Sequence, residues 1–293
     1  MPCRVALWPA HLIAVFALSG AFASAQTEGQ MILTVADHMN HQPPALTAND
    51  VTIAGVTITG WHPFTDGSDL ELFILIDDAA SSDFGAHLQE LQQFVTAQPA
   101  ASAIGIAYAH DGTLRIVETP TTDHMRAARA LHAPSGSQSA NPYAGVSDLI
   151  QRWPRKSLRR EIVLIGSGIS DAACASAETA TFDAERAGIV VFTLYHPDAN
   201  YLSRKCSAVD SGMVDLAVAG YETGGEAYFM SQNPTGSIQP FLSDIAEHLA
   251  HQYLVKFLLP PPAESGFQTI RVIPRIPGQE LLNPKKVWID RVD

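Results

Sequence analysis

Residues 70–82 have the sequence LELFILIDDAASS, an apolar run followed by two acidic residues and two hydroxyls. The run 70–76 is long enough for a buried strand, and an open α/β sheet places its ligand site at the carboxyl ends of such strands. The next segment predicts a helix, because its apolar residues share one face: Phe84, Leu88, Leu91 and Val95. This stretch therefore predicts a strand, a candidate site and a helix that packs back onto the sheet.

The rest of the chain repeats this alternation of strand and helix patterns. Strands are predicted at 103–108, 162–165, 189–195 and 227–229. One helix is predicted to begin with Thr121 or Thr122 as its N-cap, and further helices are predicted at 142–153, 178–187, 209–221 and 241–249. Asp111-Gly112 is typical of a hairpin, so 114–117 is predicted to return antiparallel. These patterns predict an α/β fold with a doubly wound, mostly parallel sheet and one antiparallel edge strand.

Four segments are predicted along the chain: a signal peptide at 1–25, an N-terminal β segment at 26–69, the α/β domain at 70–253 and a C-terminal β segment at 254–293. Short strand patterns occur near both ends, at 51–53, 56–58, 253–257 and 269–273. We therefore expect the two end segments to form a small β layer beside the α/β domain.

The first 25 residues have the features of a secretion signal. Arg4 is followed by an apolar stretch over 5–22, and Ala23-Ser24-Ala25 fits a cleavage site before Gln26. The alternative is an uncleaved membrane anchor. No later apolar run is long enough to span a bilayer. The mature protein is therefore predicted to be secreted or periplasmic after cleavage near Ala25, with no membrane span.

The charge of the chain limits its classes of partner. The 293 residues carry a net charge of −12, and residues 26–293 hold 17 basic and 30 acidic residues, a net charge of −13. A strongly acidic body disfavours nonspecific binding to nucleic acid or to anionic membranes. We therefore predict no nucleic-acid partner.

Cysteine usage suggests one disulfide. Cys3 lies in the predicted signal, so the mature chain keeps Cys174 and Cys206. Both are predicted in loops after consecutive strands, and such loops emerge at the same edge of the sheet. In an oxidising compartment these residues are predicted to pair. The alternative is two unpaired thiols.

The order of elements, with Asp and Ser after the first strand of the domain, resembles a von Willebrand factor type A domain. More narrowly, the chain resembles the secreted VWFA-related proteins of the acidobacterial type. The supporting stretches are LTANDV at 46–51, FILID at 73–77, ETGGEAY at 222–228 and HQYL at 251–254. The resemblance implies a module that binds protein partners, often through a divalent metal at the top of the sheet.

Relatives with a working metal site have Asp-x-Ser-x-Ser after the first strand, a Thr in a later loop and an Asp after the fourth strand. Asp77 and Ser81 match the first Asp and the last Ser, but Ala79 replaces the middle Ser. The loop 135–141 offers Ser137 and Ser139 but no Thr, and 166–168 is Gly-Ser-Gly. Magnesium prefers several oxygen ligands in a negative site. We therefore predict a degenerate site with no cofactor, or with weakly bound Mg or Mn, and Asp77 as a helix cap is the alternative.

The main functional hypothesis is a secreted, non-enzymatic binding module for a protein or cell-surface ligand. The candidate partner-binding loop residues are Asp78, Ser82, Ser137, Ser139 and Ser167. An extracytoplasmic hydrolase on the same scaffold and a structural envelope-assembly protein are the alternatives. The sequence indicates no convincing Ser/His/Asp trio, and Gly166-Ser167-Gly168 fits neither a dinucleotide fingerprint nor a nucleophile elbow.

Overall fold

The computed structural model describes residues 26–36, 43–137, 139–154, 157–171, 176–198, 200, 203–230, 236–260 and 264–290. The predicted signal peptide at 1–25 lies outside these ranges. The N-terminal segment contains three strands: β1 at Thr27–Ala36, β2 at Val51–Ile53 and β3 at Thr57–Pro63. None of the described helices is both long and apolar enough to cross a membrane.

The central part of the chain alternates strands and helices as the sequence predicts. Its strands are β4 at Leu70–Asp77, β5 at Ala103–His110, β6 at Thr113–Thr121, β7 at Arg159–Gly166, β8 at Val190–Tyr195 and β9 at Ala227–Phe229. Its helices are α1 at Leu88–Ala97, α2 at His124–Ala130, α3 at Pro142–Arg152, α4 at Ala177–Ala187, α5 at Cys206–Thr223 and α6 at Gln239–Ala250. The C-terminal segment adds β10 at Gln252–Leu259, β11 at Gly266–Thr269, β12 at Val272–Pro274, β13 at Glu280–Leu282 and β14 at Lys286–Ile289.

The central sheet has six strands in the order β6-β5-β4-β7-β8-β9. All neighbours are parallel except β5 and β6, whose hairpin makes β6 an antiparallel edge strand. Asp111 and Gly112 in the hairpin turn have φ angles of 45° and 79°, the left-handed region that this turn requires. The predicted fold class is therefore confirmed.

The side chains of β4 show how the sheet is buried. Leu72, Ile74 and Ile76 point into a core shared with α1, α2 and α6. Phe73 and Leu75 point to the opposite core, shared with α3, α4 and α5. Because successive strand residues face opposite sides, a nearly continuous apolar run is what a sheet covered by helices on both faces requires.

The end segments form the expected β layer, although it is divided into separate sheets. One sheet has the order β13-β1-β10-β3, and two further pairs are β11-β14 and β12-β2. Their apolar residues share a third core that includes Leu33, Ile53, Val255 and Val287. β10 crosses the domain boundary predicted at 253/254, and the boundaries themselves stay predictions.

Several helix starts differ from the sequence-based expectation, among them those of α2 and α5. The N-cap of α2 is Asp123 rather than Thr121 or Thr122, because the Asp123 carboxylate accepts a hydrogen bond from the Arg126 N–H at 3.0 Å. α5 begins at Cys206 rather than at 209, and it ends as predicted before Gly224, which has a φ of 87°. The position of Cys206 also bears on the disulfide prediction.

No disulfide is found among the described residues. Cys206 is an exposed, free cysteine in the structure, and Cys174 lies outside the described residues. The expectation that Cys206 lies in a loop is wrong, since this residue begins α5. Its place is therefore set by the helix rather than by a bridge.

Candidate functional site

The candidate site lies where the parallel strands end. β4, β5, β7 and β8 end at the same edge of the sheet, and the segments that follow them meet there. We call these segments the carboxyl-edge loops: 78–83, 111–112, 131–137, 139–141, 167–171, 196–198 and 203–204. They contain most of the residues singled out from the sequence.

Asp77, the last residue of β4, is completely buried, with 0% of its surface exposed. Its Oδ1 accepts a hydrogen bond from the Ala79 N–H at 3.3 Å, whereas Oδ2 has no hydrogen-bond partner among the described residues. Burial raises the pKa of Asp77 from 3.8 to about 8; nearby Asp198 and Asp78 add to the rise, and the Ala79 and Asn141 amides oppose it. At neutral pH this carboxyl group therefore keeps its proton.

The other predicted metal ligand, Ser81, has a structural role. Its Oγ accepts a hydrogen bond from the Asp83 N–H at 3.3 Å and caps the 3₁₀ helix at Ser82–His87. The alternative expectation is that Asp77 caps this helix and bonds loop amides. The cap is wrong, because Ser81 occupies the N-cap, whereas Asp77 does bond the Ala79 amide of the loop. Ser167 is also buried, and its Oγ accepts from the Ile169 N–H at 3.3 Å.

These residues do not fit a magnesium site. Magnesium needs near-octahedral coordination by oxygen ligands, at least one of them charged. The Asp77 carboxyl group keeps its proton, and Ala79 and Gly166 have no side-chain oxygen. The nearby carboxylates of Asp78 and Asp198 are bound by Ser135 and Arg204. A Cβ atom at Gly166 would lie 2.8 Å from Cβ of Asp77, so little space separates the two strands at this point. We assign no role to a divalent ion here.

Asp78 is buried and joins three segments of the carboxyl edge. Its Oδ1 accepts from the Ser135 N–H at 2.6 Å, and its Oδ2 accepts from the Ser135 hydroxyl and lies 2.5 Å from His110 Nδ1. Its backbone N–H donates to the Ala109 carbonyl, and its own carbonyl accepts from Gly136 and Ser137. Asp78 therefore fixes the loop at 131–137 against the end of β5.

Ser135, His110 and Asp78 form a trio that the sequence analysis missed, because these residues come from three separate segments. The Ser135 Oγ lies 3.5 Å from His110 Nδ1, and both groups contact the same oxygen of Asp78. A Ser/His/Asp hydrolase instead requires the Ser hydroxyl on one ring nitrogen and the carboxylate on the other. In this arrangement the second nitrogen of His110, Nε2, lies 3.6 Å from Asp111. The trio therefore connects loops but lacks the geometry for activating Ser135.

Arg204 joins the loops that follow β7 and β8. Its guanidinium contacts Asp171 at 2.5 and 2.8 Å and the fully buried Asp198 at 2.7 and 3.0 Å. The hydrogen bonds from Arg204 lower the pKa of Asp171. Asp171 also accepts from the Ala140 N–H at 3.0 Å, which extends the network to the loop before α3. Arg204 thus pairs with two of the acidic residues at this end of the sheet, Asp171 and Asp198.

The predicted partner-binding residues differ in their accessibility. Asp78, Ser137 and Ser167 are buried, Ser139 is half-buried, and Ser82 begins the 3₁₀ helix. Ser137 donates to the Ser139 carbonyl at 3.2 Å, and the Ser139 N–H donates to Asp111 at 3.3 Å. The exposed surface of the carboxyl-edge loops is instead formed by Asp83, Asp111, Gly112, His132, Ala133, Ser135, Gly136, Asp171 and Ser203.

We expect no tight binding of Mg²⁺ or Mn²⁺ at Asp77, because its carboxyl group is buried and keeps its proton. Titration calorimetry of the wild type and of Asp77→Ala should give no difference in affinity for either ion. Micromolar binding that disappears in Asp77→Ala would contradict this expectation and would show a working metal site.

No protein-family model and no curated protein matches this chain. Among solved structures, the conserved hypothetical protein BatB from Bacteroides thetaiotaomicron is 14% identical with a TM-score of 0.46, over 62% of this chain and 97% of that chain. The ArnB paralog VWA2 from Sulfolobus acidocaldarius is 9% identical with a TM-score of 0.43, over 91% and 76%. A von Willebrand factor type A protein from Catenulispora acidiphila is 8% identical with a TM-score of 0.44, over 92% and 74%. Such low values support neither a family nor a function for this chain, whose fold class rests on its strand order and register.

Proposed function

We propose that this protein is a secreted or periplasmic, non-enzymatic binding module of the von Willebrand factor A-like kind, resembling the VWFA-related proteins of the acidobacterial type. It would recognise a protein or cell-surface partner through the exposed residues of the carboxyl-edge loops. The observation that supports this proposal is the pair of networks around Asp78 and Arg204, in which protein side chains join the loops after four strands. A surface held in one conformation before binding loses less entropy on association.

The charge of the exposed surface indicates the chemistry of the partner. Asp83 and Asp111 are exposed at the carboxyl edge, and the predicted mature chain has a net charge of −13. Acidic groups at the rim of an interface favour encounter with a basic surface. We therefore propose a partner that presents Lys or Arg side chains to these loops.

The hydrolase alternative has weaker support. It requires a base that contacts the Ser135 hydroxyl, but this hydroxyl donates to Asp78, which also binds His110. The envelope-assembly alternative requires only an interface, so it differs from the main proposal in the identity of the partner rather than in the surface used.

Charge reversal at Asp83 tests the proposed surface. The wild type, Asp83→Arg and a control, Glu264→Arg, are immobilised and exposed to an envelope extract, and the partner that is retained is then purified for affinity measurements in EDTA. Asp83 is exposed in the carboxyl-edge loops, whereas Glu264 is exposed in the C-terminal segment. We expect Asp83→Arg to weaken binding roughly tenfold or more, and Glu264→Arg to leave it unchanged. Equal retention by all three proteins, or binding that EDTA abolishes, would contradict the proposal.

A further inference from the structure

A second group of ionisable side chains lies at the outer edge of the central sheet. Glu226 immediately precedes β9, and Asp244 and His248 are four residues apart on α6, so they share one face of that helix. One ligand atom from each of these three residues lies within 4.8 Å of the other two. Because β9 pairs in parallel with the second half of β8, with Ala227 opposite Thr193, Glu226 lies beside the middle of β8 at the outer edge of the sheet.

We propose that Glu226, Asp244 and His248 bind a zinc ion. An imidazole nitrogen with two carboxylate oxygens is a ligand set that zinc accepts, whereas magnesium and calcium prefer oxygen ligands alone. His248 Nε2 lies 3.7 Å from Glu226 Oε2, and His248 Nδ1 lies 4.0 Å from Asp244 Oδ2. A single ion takes only one of the two ring nitrogens, and the three ligand atoms lie within 4.8 Å of one another. Ligand atoms around tetrahedral zinc are about 3.3–3.5 Å apart, so the carboxylates would close on the ion through shifts of about 1 Å.

The exposure of the ligands permits such shifts. The His248 side chain is only 1% exposed, and its ring stacks on Phe192 with centroids 6.0 Å apart, so the imidazole is held in place. The Glu226 and Asp244 side chains are 15% and 27% exposed, and they can rotate toward the ring. Their exposure also gives an ion a path from solvent and leaves a further coordination position for water.

Tyr228 determines which nitrogen of His248 faces the ion. The hydroxyl of a tyrosine, whose ordinary pKa is about 10, is protonated at neutral pH. This hydroxyl donates to Asp244 Oδ2 at 2.8 Å and therefore accepts from His248 Nδ1 at 3.2 Å. Nε2 is then the ring nitrogen whose lone pair is available to an ion, and it lies 3.7 Å from Glu226 Oε2. A metal-binding His commonly donates its second N–H in this way.

Zinc at this position would connect the last turn of α6 with the start of β9. α6 leads directly into β10, a central strand of the antiparallel sheet. The ion would therefore stabilise the part of the central domain from which the chain enters the β layer. The competing interpretation is a protonated His248 that pairs with Glu226 without any metal.

Zinc titration of the tag-free full chain at neutral pH, in competition with a chromophoric chelator, distinguishes these interpretations. We expect one Zn²⁺ per chain with a dissociation constant in the micromolar range or below, and no competition from Mg²⁺ or Ca²⁺. Saturating zinc should also raise the melting temperature, since a ligand that binds only the folded state stabilises it.

Matched variants locate the ion. Glu226→Gln and Asp244→Asn keep the side-chain shape and should each weaken zinc binding roughly tenfold or more, and Tyr228→Phe should weaken it by about 10–100-fold. Glu247→Gln is the control, because it makes the same charge change on the same helix next to His248. Absence of zinc binding in the wild type, or binding that Glu226→Gln and Asp244→Asn leave unchanged, would overturn the proposal.

Discussion

Replacing Asp77 with Asn is expected to stabilise the protein above neutral pH and to flatten the pH dependence of its unfolding. The pKa of Asp77 is about 8 in the folded state, whereas an aspartate in the unfolded chain has the ordinary pKa of 3.8. Between these pH values the folded state holds a proton that the unfolded state has lost. The free energy of unfolding therefore falls as pH rises from about 4 to about 8. Once the pH exceeds the folded-state pKa, the ionisation of Asp77 alone has lowered the free energy of unfolding by an amount on the order of 5 kcal/mol.

Asparagine approximates the protonated carboxyl group and does not ionise. At about pH 4, where the unfolded chain also keeps much of its proton, the wild type and Asp77→Asn should differ in stability by no more than about 1 kcal/mol, which reflects the extra N–H donor of the amide. At about pH 9 the variant should be more stable by several kcal/mol. Urea unfolding across this pH range measures both quantities. Asp83→Asn makes the same charge change at an exposed position of the neighbouring loop and serves as the control.

The opposite pH dependence would change the interpretation of the site. If the wild type became more stable from about pH 5 to about pH 8, or if Asp77→Asn lost stability throughout, Asp77 would be ionised in the folded state. An ionised, buried carboxylate at the end of β4 would then require a cation nearby. That result would restore the metal site that the residues around Asp77 argue against.

Local patterns explain why the sequence predicts the central sheet well. The apolar run at 70–76 and the Asp111-Gly112 turn specify structure through neighbouring residues alone. β1 was missed for the opposite reason. It is buried on both faces, by Ile32 on one side and Leu33 on the other, so its second half shows no alternation. Its partner β10 lies more than two hundred residues away, and no local pattern indicates this pairing.

The candidate site was located from the sequence, but its interactions were not. The carboxyl end of β4 was expected to hold the site, since parallel strands end at a common edge. The network that fills this edge depends on Arg204 and Asp198, which belong to a loop far from β4 in the chain. Side chains that meet only through tertiary contacts leave no periodic signal. The same holds for His110 and Ser135, which reach Asp78 from two other segments.

Replacing Arg159 with Met is expected to cost about 3–5 kcal/mol of stability, since it leaves a buried carboxylate without its cation. Arg159 and Glu161 have side chains that are 2% and 0% exposed, and Arg159 Nε lies 2.9 Å from Glu161 Oε1. Arg159 also donates to the Leu249 carbonyl at the end of α6, and its guanidinium lies 5.1 Å from the Phe64 ring. Without Arg159, Glu161 would keep only the hydrogen bond from Gln252 at 3.3 Å.

The double variant Arg159→Met/Glu161→Leu separates the charge effect from lost packing. Replacing both members of a buried ion pair by apolar residues is often neutral or stabilising, so the double variant should recover most of the loss. Arg152→Met is the control, because its exposed pair with Asp148 should contribute no more than about 1 kcal/mol. A loss in Arg159→Met no larger than this control, or no recovery in the double variant, would contradict the argument. Arg159 contacts Leu249 and Glu161 contacts Gln252, and these two residues flank the connection between α6 and β10. A large loss of stability that the double variant recovers would therefore show that the Arg159–Glu161 ion pair joins the central sheet to the β layer.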